Sequence, residues 1–404
     1  MDSDSGRDVG LGMDHVAGMA LTLLLGGSVV ALVGQHTAAQ AGPAIVLSLL
    51  LAALGAMPML CCLHVLDQRL PRAGGLQGAL RIGWGSRPAR LMGWALLLEL
   101  LATSAGVAWS TVDHVHAALA TCGLDAGVGL PGQAVAAAGL LLLGVVTLLP
   151  ARRVALMACG LLTVKVGVGL LLLALAARHV HYAHWVPWLP EATAPYRFGI
   201  GGVLAASVPL LGVFASVGLV LGLPQPRQQA RPRQLLVLAR VVLIAMLSLI
   251  VLAAVQAGLV EFPVLASTRP LSMALQGHPQ LQWMLPLLPL GGAAGLMALQ
   301  LVLLQLGAQL ATQLWPTGWG TAPRLWLRLR GIVLVLLAMP LVLWVPPAAL
   351  PVLPGPVTLL VMAALCLAAL RAPAPIPRGM PVLAPLAVVL CLLAAAERLR
   401  AWPG

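Results

Sequence analysis

Charge is what this chain has least of. Only 8% of its 404 residues are Asp, Glu, Lys or Arg, against about a quarter in an ordinary soluble domain. A water-facing surface of the usual kind is excluded. Lysine is nearly missing, with Lys165 its single representative, and the acidic residues number 11. The six cysteines are Cys61, Cys62, Cys122, Cys159, Cys366 and Cys391. They show neither a disulfide framework nor metal-ligand spacing, so no metal site is expected. No serine, cysteine or aspartate sits in a hydrolase arrangement and no phosphate loop occurs, so neither an enzyme nor a cofactor is expected. The formal net charge of +12 does not indicate nucleic acid, because the arginines cluster between apolar runs instead of covering one surface.

What is there is apolar. Hydrophobic residues make up 60% of the chain and its mean hydropathy is +0.99. A spanning helix needs about 20 apolar residues, so the sequence predicts an all-α polytopic membrane protein, one transmembrane domain with no separate soluble part. Eleven spans are predicted, at about 16–38, 43–66, 89–112, 133–150, 154–177, 199–222, 236–260, 283–313, 331–346, 350–371 and 381–396. The eighth exceeds what a bilayer needs and is expected to tilt. Asp2, Asp4, Asp8 and Asp14 against Arg7 are the wrong charge for a secretory signal, so the first span is expected to be retained. A cytoplasmic N-terminus in a plasma membrane places seventeen arginines inside and five outside, as the positive-inside rule asks. An odd number of spans then sends Arg398 and Arg400 outside, so either the last span does not cross or the chain tolerates a weak violation there. The external segment 179–196, with Trp185, Pro187, Trp188 and Pro190, reads as an interfacial lid or aromatic anchor instead of a crossing segment.

The stretch that organises the chain is 22–44, where a long apolar helix is interrupted at Gly26, Gly27 and Ser28 and closed by Gly42 and Pro43. Broken backbone at membrane depth persists only where protein or a cavity receives it. Its freed amides are therefore a candidate carboxylate site, although small residues that merely permit close helix packing are the commoner case. Lys165 falls about eleven residues into the fifth predicted span, roughly 16 Å deep. Such a charge costs at least about 2.5 kcal/mol on insertion scales, so it serves either ion coupling or a structural pair. Glu99, at a similar height, is its most obvious partner if the two helices face each other, and a structural role is favoured for it. In the sixth span Pro209, Gly212 and Gly218 bracket Phe214, Ala215 and Ser216 and suggest a second break, with Phe214 as an aromatic wall or as plain packing. His36, His64, His114 and His116 read as structural or interfacial.

Several motifs occur together in a recognisable order. They are Gly26-Gly27-Ser28, Gly34, Ala41-Gly42-Pro43-Ala44, Arg69-Leu70-Pro71-Arg72-Ala73-Gly74, Gly93-Trp94-Ala95-Leu96-Leu97-Leu98-Glu99, Thr163-Val164-Lys165, Trp185-Val186-Pro187 and Phe198-Gly199-Ile200-Gly201-Gly202-Val203-Leu204. In this order, over about the first half of the chain, they resemble the cationic amino acid transporters of the amino acid-polyamine-organocation superfamily. The resemblance implies a LeuT-like fold of two five-helix inverted repeats, about 16–177 and 199–371, with an extra helix at 381–396. It also implies an amino acid held at Gly26, Gly27, Ser28, Phe214, Ala215 and Ser216. Lys165 is implied to stand where sodium-coupled relatives hold sodium, which makes the protein sodium-independent and protons the plausible coupling ion. The expected function is secondary amino acid transport by alternating access, with the substrate and the lipid bilayer as partners and the oligomeric state open. The chain departs from the family at Val65 and at Leu221-Gly222-Leu223-Pro224, where acidic residues are usual, and at Gln309, Gln313 and Trp315. Two alternatives therefore stay open: a transport-dead relative with a binding or regulatory role, and neutral instead of cationic substrates.

Overall fold

The computed structural model describes residues 12–27, 37–69, 75–123, 131–194, 197–223, 234–261, 265, 270–314, 324–371 and 377–401. Among these, twelve helices have ten residues or more: α1 Met13–Leu25, α2 Ile45–Arg69, α3 Gly75–Trp84, α4 Ser86–Thr121, α5 Gly132–Val146, α6 Ala151–Ala176, α7 Gly199–Ala215, α8 Gln234–Leu259, α9 Leu287–Leu314, α10 Arg324–Trp344, α11 Pro356–Arg371 and α12 Met380–Arg400. Seven helical stretches are long and apolar enough to cross a membrane, and four shorter ones are apolar. Together they follow the eleven predicted spans in order. The chain is a multi-pass membrane protein.

Two groups of helices divide the molecule. α9 packs most extensively on α4 and also meets α5 and α10, while α2 packs on α7 and α8, and α1 on α8. α6 lies between the groups and touches both α1 and α9, and α12 joins α11 to α2 and α7. Lipid tails are as apolar as leucine, so close fit and internal polar contacts hold such helices together more than hydrophobic transfer does. The fit shows on α9, where Gly291 faces Val168 of α6, Gly292 faces His114 of α4 and Gly307 faces Leu97 of α4 and Leu334 of α10.

α3 is the helix that does not read as a span. Its Leu76, Gln77, Ala79 and Leu80 are buried, and it braces the ends of several spans on the face where α1 begins. The Gln77 amide donates to Gln313 Oε1 at 3.2 Å and its Nε2 donates to the Ala89 carbonyl at 2.8 Å. Trp84 Nε1 donates to the Ala364 carbonyl at 2.9 Å, and the Arg371 guanidinium lies 4.2 Å from the centre of the Trp84 ring.

Two sequence expectations about helix continuity are corrected. The sixth span does not break at Phe214–Ser216: α7 passes directly into a 3-10 helix, Ser216–Gly222. The tighter winding keeps the amides in i→i+3 bonds, so none is released to a ligand. The tenth span begins at Pro356 instead of about residue 350, because Pro351, Pro354 and Gly355 keep the preceding residues out of the helix. With 16 residues, α11 is about 24 Å long, short of the ~30 Å hydrocarbon layer. The non-helical backbone before it sits inside the protein: Pro351, Leu353, Pro354 and Gly355 are buried, with Leu350 and Pro351 against Gly106 of α4 and Pro354 against Gly212 of α7.

The segment after α6 does not cross. It makes 3-10 turns at Ala177–His179 and Tyr182–Trp185, and Trp185 Nε1 donates to the Ala254 carbonyl at 3.1 Å. Here His179 and His278 bring their rings to 5.0 Å, and His181 and His184 to 5.5 Å. Burial, and then repulsion from His179, His181 and His184, lower the His278 pKa below its ordinary 6.5. The neutral ring is thus favoured by the fold, while the unfolded chain binds the proton more readily. Stability at this contact is unaffected above about pH 6.5 and declines as pH falls through the lowered value. Acidifying from pH 7.5 to 5.5 is expected to raise amide exchange in 177–185 and 270–284 of the wild type, and to raise it less in His278→Gln. Equal increases in the two proteins would disprove this.

Candidate functional site

The candidate site starts from the end of α1. The Gly26 amide closes the last turn onto the Thr22 carbonyl at 2.7 Å, and the last carbonyls of a helix look for partners outside it. Lys165 on α6 supplies one: its Nζ donates to the Gly26 carbonyl at 3.0 Å and to the Gly27 carbonyl at 2.5 Å. An ammonium at a helix C-terminus meets the negative end of the helix dipole. Gly295 of α9 makes room for this, since a Cβ there would run into both the Lys165 side chain and the Gly26 carbonyl. Leu299, one turn further along α9, packs on Gly26 and Gly27. The amide of Gly26 is thus engaged, and of the expected carboxylate-binding backbone Gly27 remains. Ser28, with Gly34 and His36, lies outside the described residues.

Glu99 does not face Lys165. Its Oε2 accepts from the Val357 amide at 2.6 Å, and its Oε1 accepts from the Thr358 amide at 2.8 Å and the Thr358 hydroxyl at 2.5 Å. The side chain of α4 therefore caps the N-terminus of α11 from a distant part of the chain, where the dipole favours negative charge. Gly355 is required, since a Cβ there would stand 2.5 Å from the Glu99 carboxyl carbon. Counted from Ser86, Glu99 is about 20 Å up α4, so α11 begins deep in the bilayer. Each of the two intramembrane charges is received by a helix end of opposite sign, not by the other.

The sixth-span candidates are wholly enclosed. Phe214, Ala215 and Ser216 are all buried, and Ser216 Oγ donates to the Val213 carbonyl at 2.6 Å within its own helix. Sequence reasoning missed a polar pair on the two scaffold helices: Gln300 of α9, the residue after Leu299, donates from Nε2 to Ser104 Oγ of α4. Gln300 is 1% and Ser104 2% exposed, and Gln300 Oε1 is buried without a partner among the described residues. The available signal was a glutamine in an apolar run, the first of four along α9; its partner, 196 residues away, was not readable. Among the described residues no group of three or more His, Cys, Asp or Glu is arranged to hold a metal ion.

Comparison with known proteins places this geometry. The Arabidopsis thaliana vacuolar cationic amino acid transporter 2 is 24% identical over 73% of this chain and 49% of its own length. The mitochondrial cationic amino acid transporter 3 of the same plant is 27% identical over 70% of this chain and 48% of its own. The chain resembles cationic amino acid transporters. It spans about half the length of the curated relatives it matches. No family model matches it. Among solved structures, the Eremococcus coleocola manganese transporter in complex with an aromatic bis-isothiourea compound superposes with a TM-score of 0.60 at 14% identity, covering 97% of this chain and 90% of that one. MhsT in complex with L-phenylalanine gives 0.57 at 13% identity, covering 98% and 100%. Mhp1, a nucleobase-cation-symport transporter, gives 0.54 at 13%, covering 96% and 92%. The fold is LeuT-like, as the sequence motifs imply. In that fold the end of α1, α6 and α9 meet at the Lys165 ammonium.

Proposed function

We propose that this chain is a secondary transporter that moves amino acids across a plasma membrane by alternating access, with the N-terminus in the cytoplasm. Lys165 is the observation that carries the reading. Its ammonium occupies the carbonyl ends of the broken span, a place where a cation is held by helix ends in discontinuous-helix transporters. An ammonium there makes a sodium ion unnecessary, and because it can give up a proton, the proton is the ion this position can exchange. The Gly27 amide and Ser28 receive the substrate carboxylate, and Phe214, Ala215 and Ser216 form the wall across from them. The amino acid names of the relatives and the LeuT-like fold support transport as the class of activity. The halves 16–177 and 199–371 act as the two repeats.

A second reading, binding without flux, is favoured by one feature: the sixth span keeps its backbone bonds through Ser216, so the hinge that a second break would provide is missing. Uptake of a labelled amino acid panel into proteoliposomes under an imposed pH gradient separates the two. Gradient-driven uptake of at least one amino acid, lost in Lys165→Ala, supports the transporter. Binding with no uptake, by protein shown to be folded, supports the second reading. Uptake unchanged in Lys165→Ala removes Lys165 from coupling.

A further inference from the structure

The relatives are named for cationic substrates, and a cationic side chain in a membrane interior needs a counter-charge. This chain has 11 acidic residues. Asp2, Asp4, Asp8 and Asp14 precede the first span or open it, Glu191 and Glu261 lie outside the long helices, and Asp125 lies between α4 and α5. Asp67 is close to the last residue of α2 and Glu397 to the last of α12, and Asp113 is in the exposed outer part of α4. Glu99 alone is placed at mid-depth, and its two oxygens already take three hydrogen bonds from α11. Among the described residues no carboxylate is left to receive an ammonium or guanidinium beside the end of α1. The fixed charge nearest that span is Lys165, which is positive and would repel one.

The same layer does carry an uncharged polar group. Leu299 touches Gly26 and Gly27, and the next residue of α9, Gln300, commits one pole of its amide to Ser104 while the other pole, Oε1, is buried and unpartnered. An unpaired amide pole in an apolar interior is costly to leave unsatisfied. Its demand is met by a ligand that has a hydrogen-bonding side chain and no charge.

We infer that the site takes neutral amino acids with a short polar side chain, of the serine, threonine, asparagine or glutamine kind, and that Gln300, held by Ser104, reads the polar end of that side chain. This rests on the transporter reading above and narrows its substrate class. The amide discriminates by hydrogen bonding, and a buried pole left unpaired penalises apolar analogues. Against arginine and lysine the discrimination comes from the missing counter-charge beside a fixed ammonium.

The test is ligand-induced thermal stabilisation of the purified full chain, with proteoliposome uptake alongside, using L-serine, L-asparagine, L-glutamine, L-alanine, L-lysine and L-arginine. Serine, asparagine or glutamine is expected to stabilise the protein at concentrations at least about tenfold lower than alanine. Lysine and arginine are expected to need at least about a hundredfold more. In Gln300→Leu the preference for polar side chains over alanine collapses toward unity. Gln300→Met, unbranched and of similar length, serves if the leucine variant does not fold. Gln300→Glu supplies the missing carboxylate and shifts selectivity toward lysine. Lysine or arginine bound as tightly as the neutral set would overturn the inference while leaving the transporter reading intact. An unchanged polar-to-alanine ratio in the Gln300 variants would overturn the role of that residue. If no amino acid of the panel binds to folded protein, the transporter reading and this inference fall together.

Discussion

Replacing Lys165 with alanine is expected to destabilise the protein by about 3 kcal/mol or more and to abolish amino acid uptake. The side chain makes two charge-assisted bonds, at 3.0 Å and 2.5 Å, to the carbonyls of Gly26 and Gly27. Each such bond contributes on the order of 1.5–3 kcal/mol, and neither acceptor has water as a substitute at this depth. Alanine also empties the channel beside Gly295 through which the lysine stem runs. Arginine is not expected to rescue, because its planar head is broader than the space shaped by Gly295 and Gly26. Lys165→Met is the informative companion: it keeps the stem and removes the ammonium, so it separates packing from charge. A thermal melt in detergent checks the stability part and uptake checks the other. A Lys165→Met protein that melts with the wild type would show that the ammonium contributes nothing to holding α1 against α6.

The second large effect belongs to Glu99. Glu99→Gln preserves shape but turns one accepting oxygen into a donor that faces an N–H of α11. At least one of the three bonds from Val357 and Thr358 becomes a donor-to-donor clash, and a backbone amide is left bare in a lipid-surrounded interior. The expected cost is about 3 kcal/mol. Thr358→Val removes the hydroxyl bond alone and is expected to cost about 1 kcal/mol. Gly355→Ala should approach the effect of Glu99→Gln from the other side, by pushing a methyl into the carboxylate. These three form a graded series in a thermal melt. A Glu99→Gln variant no less stable than Thr358→Val would show that α11 does not depend on the carboxylate for its start.

The sequence made much of this legible. Apolar runs, separated by arginine clusters and turn residues, gave the eleven spans because helix length in a bilayer is fixed by its thickness. Gly26, Gly27 and Lys165 stood out because each is costly in a membrane unless something receives it, and the structure brings them together. What was not legible is pairing at long range. Glu99 was matched with Lys165 on height alone, whereas its acceptor role on α11 depends on a contact 258 residues away. Proline and glycine weaken a helix without saying how it responds. In α7 the backbone tightened into 3-10 winding and stayed bonded. Before α11 the run Pro351, Pro354, Gly355 and Pro356 stopped the helix outright, and that cluster was readable as a late start.

The separate housing of Lys165 and Glu99 has an electrical consequence. One positive and one negative residue at mid-depth sum to zero, so a rearrangement that shifts both across the same part of the field does no net work against the membrane potential, which otherwise costs about 2.3 kcal/mol per elementary charge per 100 mV. Because the two are fastened to different helices, α1 and α11, they are also free to move by different amounts. Voltage then acts only on the difference between the two displacements.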